Sequence, residues 1–159
     1  MPHRNDTPQA QFAAVEALLT RWLKERREVL GSYTAIAVAL DSKLDLAGLA
    51  KQQNSLCELL VDYISAGHFE VYNELLVEAE SFGDGSDTLA EKLIPAIGDT
   101  TEVILAYEEK YRGEEPWLDT LKRDLSALGE VLETRFVLED RLIAGLHNRH
   151  RRLVGHQTP

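Results

Sequence analysis

The stretch from Leu56 to Val77, LCELLVDYISAGHFEVYNELLV, constrains the fold more than any other part of the chain. On a helical wheel, Cys57, Leu60, Ile64, His68, Val71 and Leu75 repeat at spacings of three and four, which marks a face turned to a core. About half a turn away lie Leu59, Asp62, Ala66, Phe69, Asn73 and Leu76, apolar bulk mixed with a carboxylate. A simple surface helix would be uniformly polar there. The helix is therefore either buried nearly all round or carries a second face for a partner.

The same periodicity organises the rest. Phe12, Val15, Leu19, Trp22, Arg26, Val29 or Leu30, Tyr33, Ile36 and Leu40 predict one amphipathic helix over 9–39, with Gly31 as a weak point. Residues 41–48 read as a loop or frayed turn, and a second helix follows over 50–81. Gly67 inside it costs about 1 kcal/mol relative to Ala and implies either close approach by a neighbouring helix or a kink. SFGDGSD (81–87) is the clearest break, and it lacks the bidentate acid of a calcium loop. Thr88 and Glu91 fit a capping box opening a third helix to about 111, with a kink or restart expected at Pro95. Gly113 and Pro116 mark stop and restart. A fourth helix over 117–148 carries Leu121, Leu125, Leu128, Leu132, Phe136, Glu139, Ile143 and Leu146 on its seam. The expected architecture is all-α, an antiparallel bundle of four long helices over 9–148. A disordered 1–8 precedes it, and a basic tail over 149–159 follows. His147, His150 and His156 read as part of a frayed end.

A chain of 159 residues suits one domain with a sizeable core. Cys57 is its only cysteine, so no intrachain disulfide can form. The polar start MPHRNDTPQAQ lacks the apolar core of a signal peptide, and the longest apolar run, Ala35–Leu40, is too short to span a bilayer. A cytoplasmic protein without a membrane partner is expected. The net charge of −10 is uneven: 41–119 holds 18 acids against 5 bases, the remainder 9 against 12. Such a middle repels duplex nucleic acid and attracts a basic protein surface, including one that itself binds DNA. The plainer alternative is that acidic helix faces keep the protein soluble.

Three polar groups, Arg26, His68 and Glu139, interrupt three apolar seams. A buried charge needs a partner, so a single hydrogen-bonded cluster fixing helix register is expected. No Glu-x-x-His pairing is present, and neither a metal nor another cofactor is expected. Phosphate-binding, nucleophile-elbow, zinc-protease and Cys-x-x-Cys motifs are all missing, and Cys57 reads as a small buried hydrophobe. A non-enzymatic protein is the expectation. Alternatives are a hemerythrin-like metal- or ligand-holding bundle and a self-associating bundle.

RWLKER (21–26), LVDYISAGHFEVYNELL (60–76) and LETRFVLEDRLI (132–143) closely resemble the Rsd/AlgQ family of bacterial anti-sigma factors. The resemblance spans roughly 10–148 and is weaker over 41–55 and 82–118. It implies a helical bundle that binds the primary sigma factor of RNA polymerase at region four, whose helix-turn-helix reads the −35 promoter element and docks on core polymerase. Binding would sequester sigma as growth slows into stationary phase; AlgQ-type members are also linked to alginate regulation. Carried over by motif, Asp62 is the first choice for contact with sigma arginines, with Ser65 and Phe69 as neighbours and Arg21 and Glu58 completing the set. The competing readings are a solvated acid for Asp62 and core packing for Phe69. Arg135 and Asp140 match the second motif, with pairing inside the bundle at least as good an account. A monomer is expected, with self-association open.

Overall fold

The computed structural model describes residues 7–42, 45–112 and 118–155. Four helical rods lie side by side, and no strand occurs among the described residues. The first rod, α1, is Pro8–Leu40. Its start follows from local chemistry: the Thr7 hydroxyl accepts the Ala10 N–H at 3.0 Å, and Pro8 fills a first-turn position that has no use for an N–H. The helix passes Gly31 without interruption, burying Phe12, Val15, Leu19, Trp22, Val29 and Ile36.

The second rod comprises α2 (Leu46–Ala66), a π-turn (Gly67–Val71) and α3 (Tyr72–Phe82). It begins earlier than the predicted residue 50, because the Asp45 carboxylate accepts the Ala47 N–H at 3.2 Å and starts the helix inside the stretch read as a loop. It ends where SFGDGSD predicted, at Gly83, whose φ of 62° is left-handed and natural only for glycine. The third rod, α4, is Asp87–Tyr111, one helix with Pro95 inside it, so the helix does not restart there. The Thr88–Glu91 capping box does not form. Ser86 holds the cap position without a side-chain bond, and the Thr88 hydroxyl donates to the Gly85 carbonyl instead. The fourth rod, α5, is Leu118–Leu146, followed by a 3-10 turn (Asn148–His150) and the short α6 (Arg151–Gly155).

Neighbouring rods run antiparallel. Between α1 and the second rod, Gln11 bonds Glu74 while Trp22 bonds the Tyr63 carbonyl further along. Between α1 and α5, Tyr33 bonds the Leu125 carbonyl and Arg26 bonds Asp140. Between α4 and α5, Tyr111 bonds Asp124 and Arg135 bonds Thr100. The expected single bundle is the observed one. Residues 1–6, His156 and the Gly113–Pro116 punctuation lie outside the described residues.

The π-turn overturns one expectation. A π-turn holds one residue more than an α-turn, so residues beyond it are rotated by about 100° against the extrapolated wheel. Val71 faces the core as the seam predicts, but Gly67 takes the inward place expected of His68, which is exposed with Phe69 and Glu70. His68 takes no part in the interior polar cluster. A Cβ on Gly67 would lie 3.0 Å from Cζ2 of Trp22 and 3.1 Å from the Tyr72 hydroxyl, so this glycine serves close packing. Gly67→Ala is expected to destabilise by about 1 kcal/mol, overpacking outweighing the helix-propensity gain, as a thermal melt would read.

The cluster itself forms around Glu139, which is fully buried. One carboxylate oxygen accepts the Tyr63 hydroxyl at 2.5 Å and Arg26 Nη2 at 3.2 Å; the other accepts the Tyr72 hydroxyl at 2.7 Å and Arg135 Nε at 3.0 Å. Arg26 Nη1 reaches Asp140 at 2.7 Å. Arg135 Nη1 donates to Thr100 and Thr101 at 3.0 and 2.8 Å. Burial, reinforced by the Glu139 charge, pushes both tyrosine phenols well up, so they act as donors. Burial opposes the Arg26 charge, but Tyr63, Asp140 and Glu139 outweigh it. Arg135 thus occupies the place expected for His68, and four residues from α1, α2, α3 and α5 share one carboxylate.

The C-terminal histidines correct a second expectation. His147 and His150 are both fully buried. The His147 ring stacks on Phe12 at 4.1 Å and the His150 ring on Phe82 at 4.0 Å. Their partners are Glu16, Glu78 and Asp84, so the end of α5 is tied to α1, α3 and the following loop.

Candidate protein-binding face

The outward face of α2 and the π-turn follows from helix geometry. Glu58, Asp62, Ser65 and Phe69 recur at three- and four-residue spacing and form one ridge. Glu58 and Asp62 are exposed, and Ser65 is half-buried. Phe69 is 75% exposed, the most exposed of the large apolar side chains described. Asp62 makes no hydrogen bond or ion pair within the described chain. Core packing does not account for Phe69, and an interior partner does not account for Asp62. Arg21 is exposed on α1, across a groove of about 260 Å³ that Glu25, Ala66 and Glu70 also line.

A second groove runs on the other side of the ridge, between α2 and α4. One section, about 660 Å³, is lined by Cys57, Glu58, Val61, Asp62, Glu108 and Arg112. The next, about 360 Å³, shares Val61 and is largely apolar, with Ile64, Phe69, Ile94, Ile97 and Leu105 on its walls. The ridge thus separates an acidic groove from one that turns from acidic to apolar along its length. Burying part of an acidic surface has an electrostatic signature. The Glu25 carboxyl is pushed up, first by partial desolvation, then by Asp62, Glu28 and Glu70. Like charges at this spacing raise the free energy of the empty face, and a cation placed against them would relieve it.

Cys57 lies beneath the groove. It is buried, its Sγ is 3.9 Å from the Glu108 carbonyl, and burial, helped by Glu108, pushes its thiol up to about 11. A thiol held protonated is a poor nucleophile and a poor ligand. Among the described residues no group of three or more His, Cys, Asp or Glu is placed to hold a metal ion, and no helix is long and apolar enough to cross a membrane.

The five expected contact residues are therefore brought to one side of the molecule. The acids Glu25, Glu28 and Glu70, which intensify that side's charge, were not singled out from sequence. Their signal was available: Glu25 lies within RWLKER and Glu70 follows Phe69 directly.

Comparison with known proteins places the chain. A family model described as "Regulator of RNA polymerase sigma(70) subunit, Rsd/AlgQ" matches residues 1–147. A protein named "Regulator of sigma D" from Yersinia pseudotuberculosis serotype O:1b is 35% identical over 147 residues, covering 90% of this chain and 87% of the relative. Its namesake from Yersinia enterocolitica is 34% identical, covering 90% and 88%. One from Salmonella arizonae is 36% identical over 132 residues, covering 79% of each chain. No solved structure matches. With the matched region running through all four rods and both motif-bearing helices, the chain belongs to the Rsd/AlgQ family.

Proposed function

We propose that this chain is a cytoplasmic anti-sigma factor that binds region four of the primary sigma factor through the Glu58–Phe69 ridge and its flanking grooves. Occupation of the helix-turn-helix surface blocks contact with the −35 element and with core polymerase, lowering transcription from ordinary promoters. The names of the family and of its relatives support a sigma regulator. The observation that carries the choice of surface is Phe69, a large ring 75% exposed on a ridge that also carries the unpartnered Asp62. An aromatic anchor ringed by charge is the composition of an interface centre with a steering rim. A DNA-reading module is basic, and the acids on this side complement it. The action is binding alone, without catalysis, by a monomer.

Calorimetric titration of the full chain with isolated region four tests this. A one-to-one complex is expected whose affinity falls with added salt. Phe69→Ala and Asp62→Ala should each weaken it about tenfold or more, roughly 1.4 kcal/mol, with melting temperatures unchanged. No complex, or one indifferent to salt and to both substitutions, would remove this face from the account.

A further inference from the structure

We propose that the groove between α2 and α4 takes one amphipathic helix of the partner. An arginine on that helix displaces Arg112 from Glu108, and an apolar side chain two turns away fills the section beside Phe69. The site rests on the sigma reading above. It adds two contact positions outside the ridge, Glu108 and Gly98, and the side-chain pattern that a binding helix must carry.

Buried carboxylates collect donors, because an ionised oxygen deprived of both water and hydrogen bonds is costly. Glu139 follows that rule, with four donors on its two oxygens. Among the described residues two buried carboxylate oxygens depart from it, Glu108 Oε2 and Glu25 Oε2, neither of which accepts a hydrogen bond. They lie in the two grooves that border the ridge, one on each side. Glu108 is deeply set, at 8% exposed. Arg112, one helical turn on, stands over it loosely: its Nε is 3.4 Å from Glu108 Oε2, beyond the usual reach of a hydrogen bond, on a side chain that is 68% exposed. An exposed pair of this kind contributes little, so displacing Arg112 costs little. Glu58 and Asp62 line the same section and add negative charge at its mouth. The floor is thus a carboxylate with an acceptor unfilled, and a guanidinium of the chain's own already marks the chemistry that suits it. A partner arginine fits better than a lysine, because its fork offers two N–H groups and it gives up its hydration more readily.

The adjoining section shares Val61 and has the opposite character. Ile64, Ile94, Ile97 and Leu105 wall it. Gly98 belongs to its lining, and a Cβ there would meet nothing within 4 Å, so the space above α4 stands open. Along α2 the first section centres on Glu58 and the second on Ser65, an interval of two helical turns or about 10 Å. A helix laid along the groove repeats its side chains at that same interval. Its residues i and i+7 therefore meet both sections at once, arginine on one and a branched apolar residue on the other. An extended strand has no comparable partner, since both walls are helices whose backbone groups are spent internally. Charge also sets the polarity: the arginine end lies towards Cys57 and the apolar end towards Phe69.

The test is calorimetric titration of the full chain with isolated region four over a salt series, with a thermal melt of each variant. Glu108→Gln keeps the shape and removes the charge. It should weaken binding about tenfold and flatten the salt dependence, while the melting temperature holds or rises because a buried charge without a donor is gone. Arg112→Ala clears the place over Glu108 and should strengthen binding about threefold or more. Gly98→Leu fills the apolar section from the α4 side with a residue that helices favour. It should leave the melting temperature unchanged or raised and weaken binding about tenfold or more. Phe69→Ala is the control for the sigma reading. A complex weakened by Phe69→Ala but held within about threefold of the parent by Glu108→Gln and Gly98→Leu would overturn the groove site and leave the sigma reading standing. Arg112→Ala weakening the complex as Glu108→Gln does would also overturn it, since the pair would then act as one structural unit. Absence of any complex would remove the sigma reading and the groove site together. Should Glu108→Gln fail to fold, Arg112→Ala and Gly98→Leu decide between these outcomes.

Discussion

Glu139→Ala is expected to cost about 3–5 kcal/mol of stability, a large share of the 5–15 kcal/mol that holds a typical domain together. The side chain is fully buried and accepts from Tyr63, Tyr72, Arg26 and Arg135. Removing it leaves the Arg135 guanidinium, 1% exposed, without its counter-ion and two tyrosine hydroxyls without an acceptor. Glu139→Gln keeps the shape but not the charge and should cost less. Arg26 is only half-buried and keeps Asp140 as a partner, so Glu139 is the member whose removal should be felt most. Urea unfolding of the variants against the parent reads the difference. A loss below about 1 kcal/mol for Glu139→Ala would mean that the interior tolerates the Arg135 guanidinium without a counter-ion, contrary to the cost of burying unpaired charge.

Asp62→Arg is expected to weaken the complex with region four by more than about a hundredfold while leaving the fold intact. Substituting Ala removes an attraction; substituting Arg sets like charge against like, which costs several kcal/mol at an interface. The isolated protein should not suffer, because Asp62 is exposed and bonded to nothing within the described chain. It should melt at the same temperature or slightly higher, since Glu25 loses a like-charged neighbour. Equal stability with lost binding is the combination that separates a contact residue from a structural one. Affinity within about threefold of the parent would place Asp62 outside the interface.

The rods were legible because each presents a strip of apolar residues at three- and four-residue spacing long enough to outweigh local interruptions such as Gly31 and Pro95. The meeting of Arg26 with Glu139 was legible too, because a charge on an apolar seam must find its opposite. His68 was misplaced because a fixed 3.6-residue period cannot register the added residue in the Gly67–Val71 turn. His147 and His150 were misread because a basic, histidine-rich end resembles a tail when its partners are unseen. Glu78 lies 69 residues from His147, and Glu16 lies 131 away. Separations of that size leave no mark on local periodicity. The ridge proposed for binding was legible as a mixture of charge and apolar bulk on one side of a helix. Phe69, on that same side of the wheel, stands clear of the core.

Cys57 has a practical consequence. It is the chain's only cysteine, nearly buried at the floor of the α2–α4 groove, with its thiol donating to the Glu108 carbonyl and its proton held on. A thiol in that state reacts only during moments when the surrounding helices part. The rate at which an alkylating reagent consumes it therefore clocks the breathing of the α2–α4 seam, using a reporter the protein already contains.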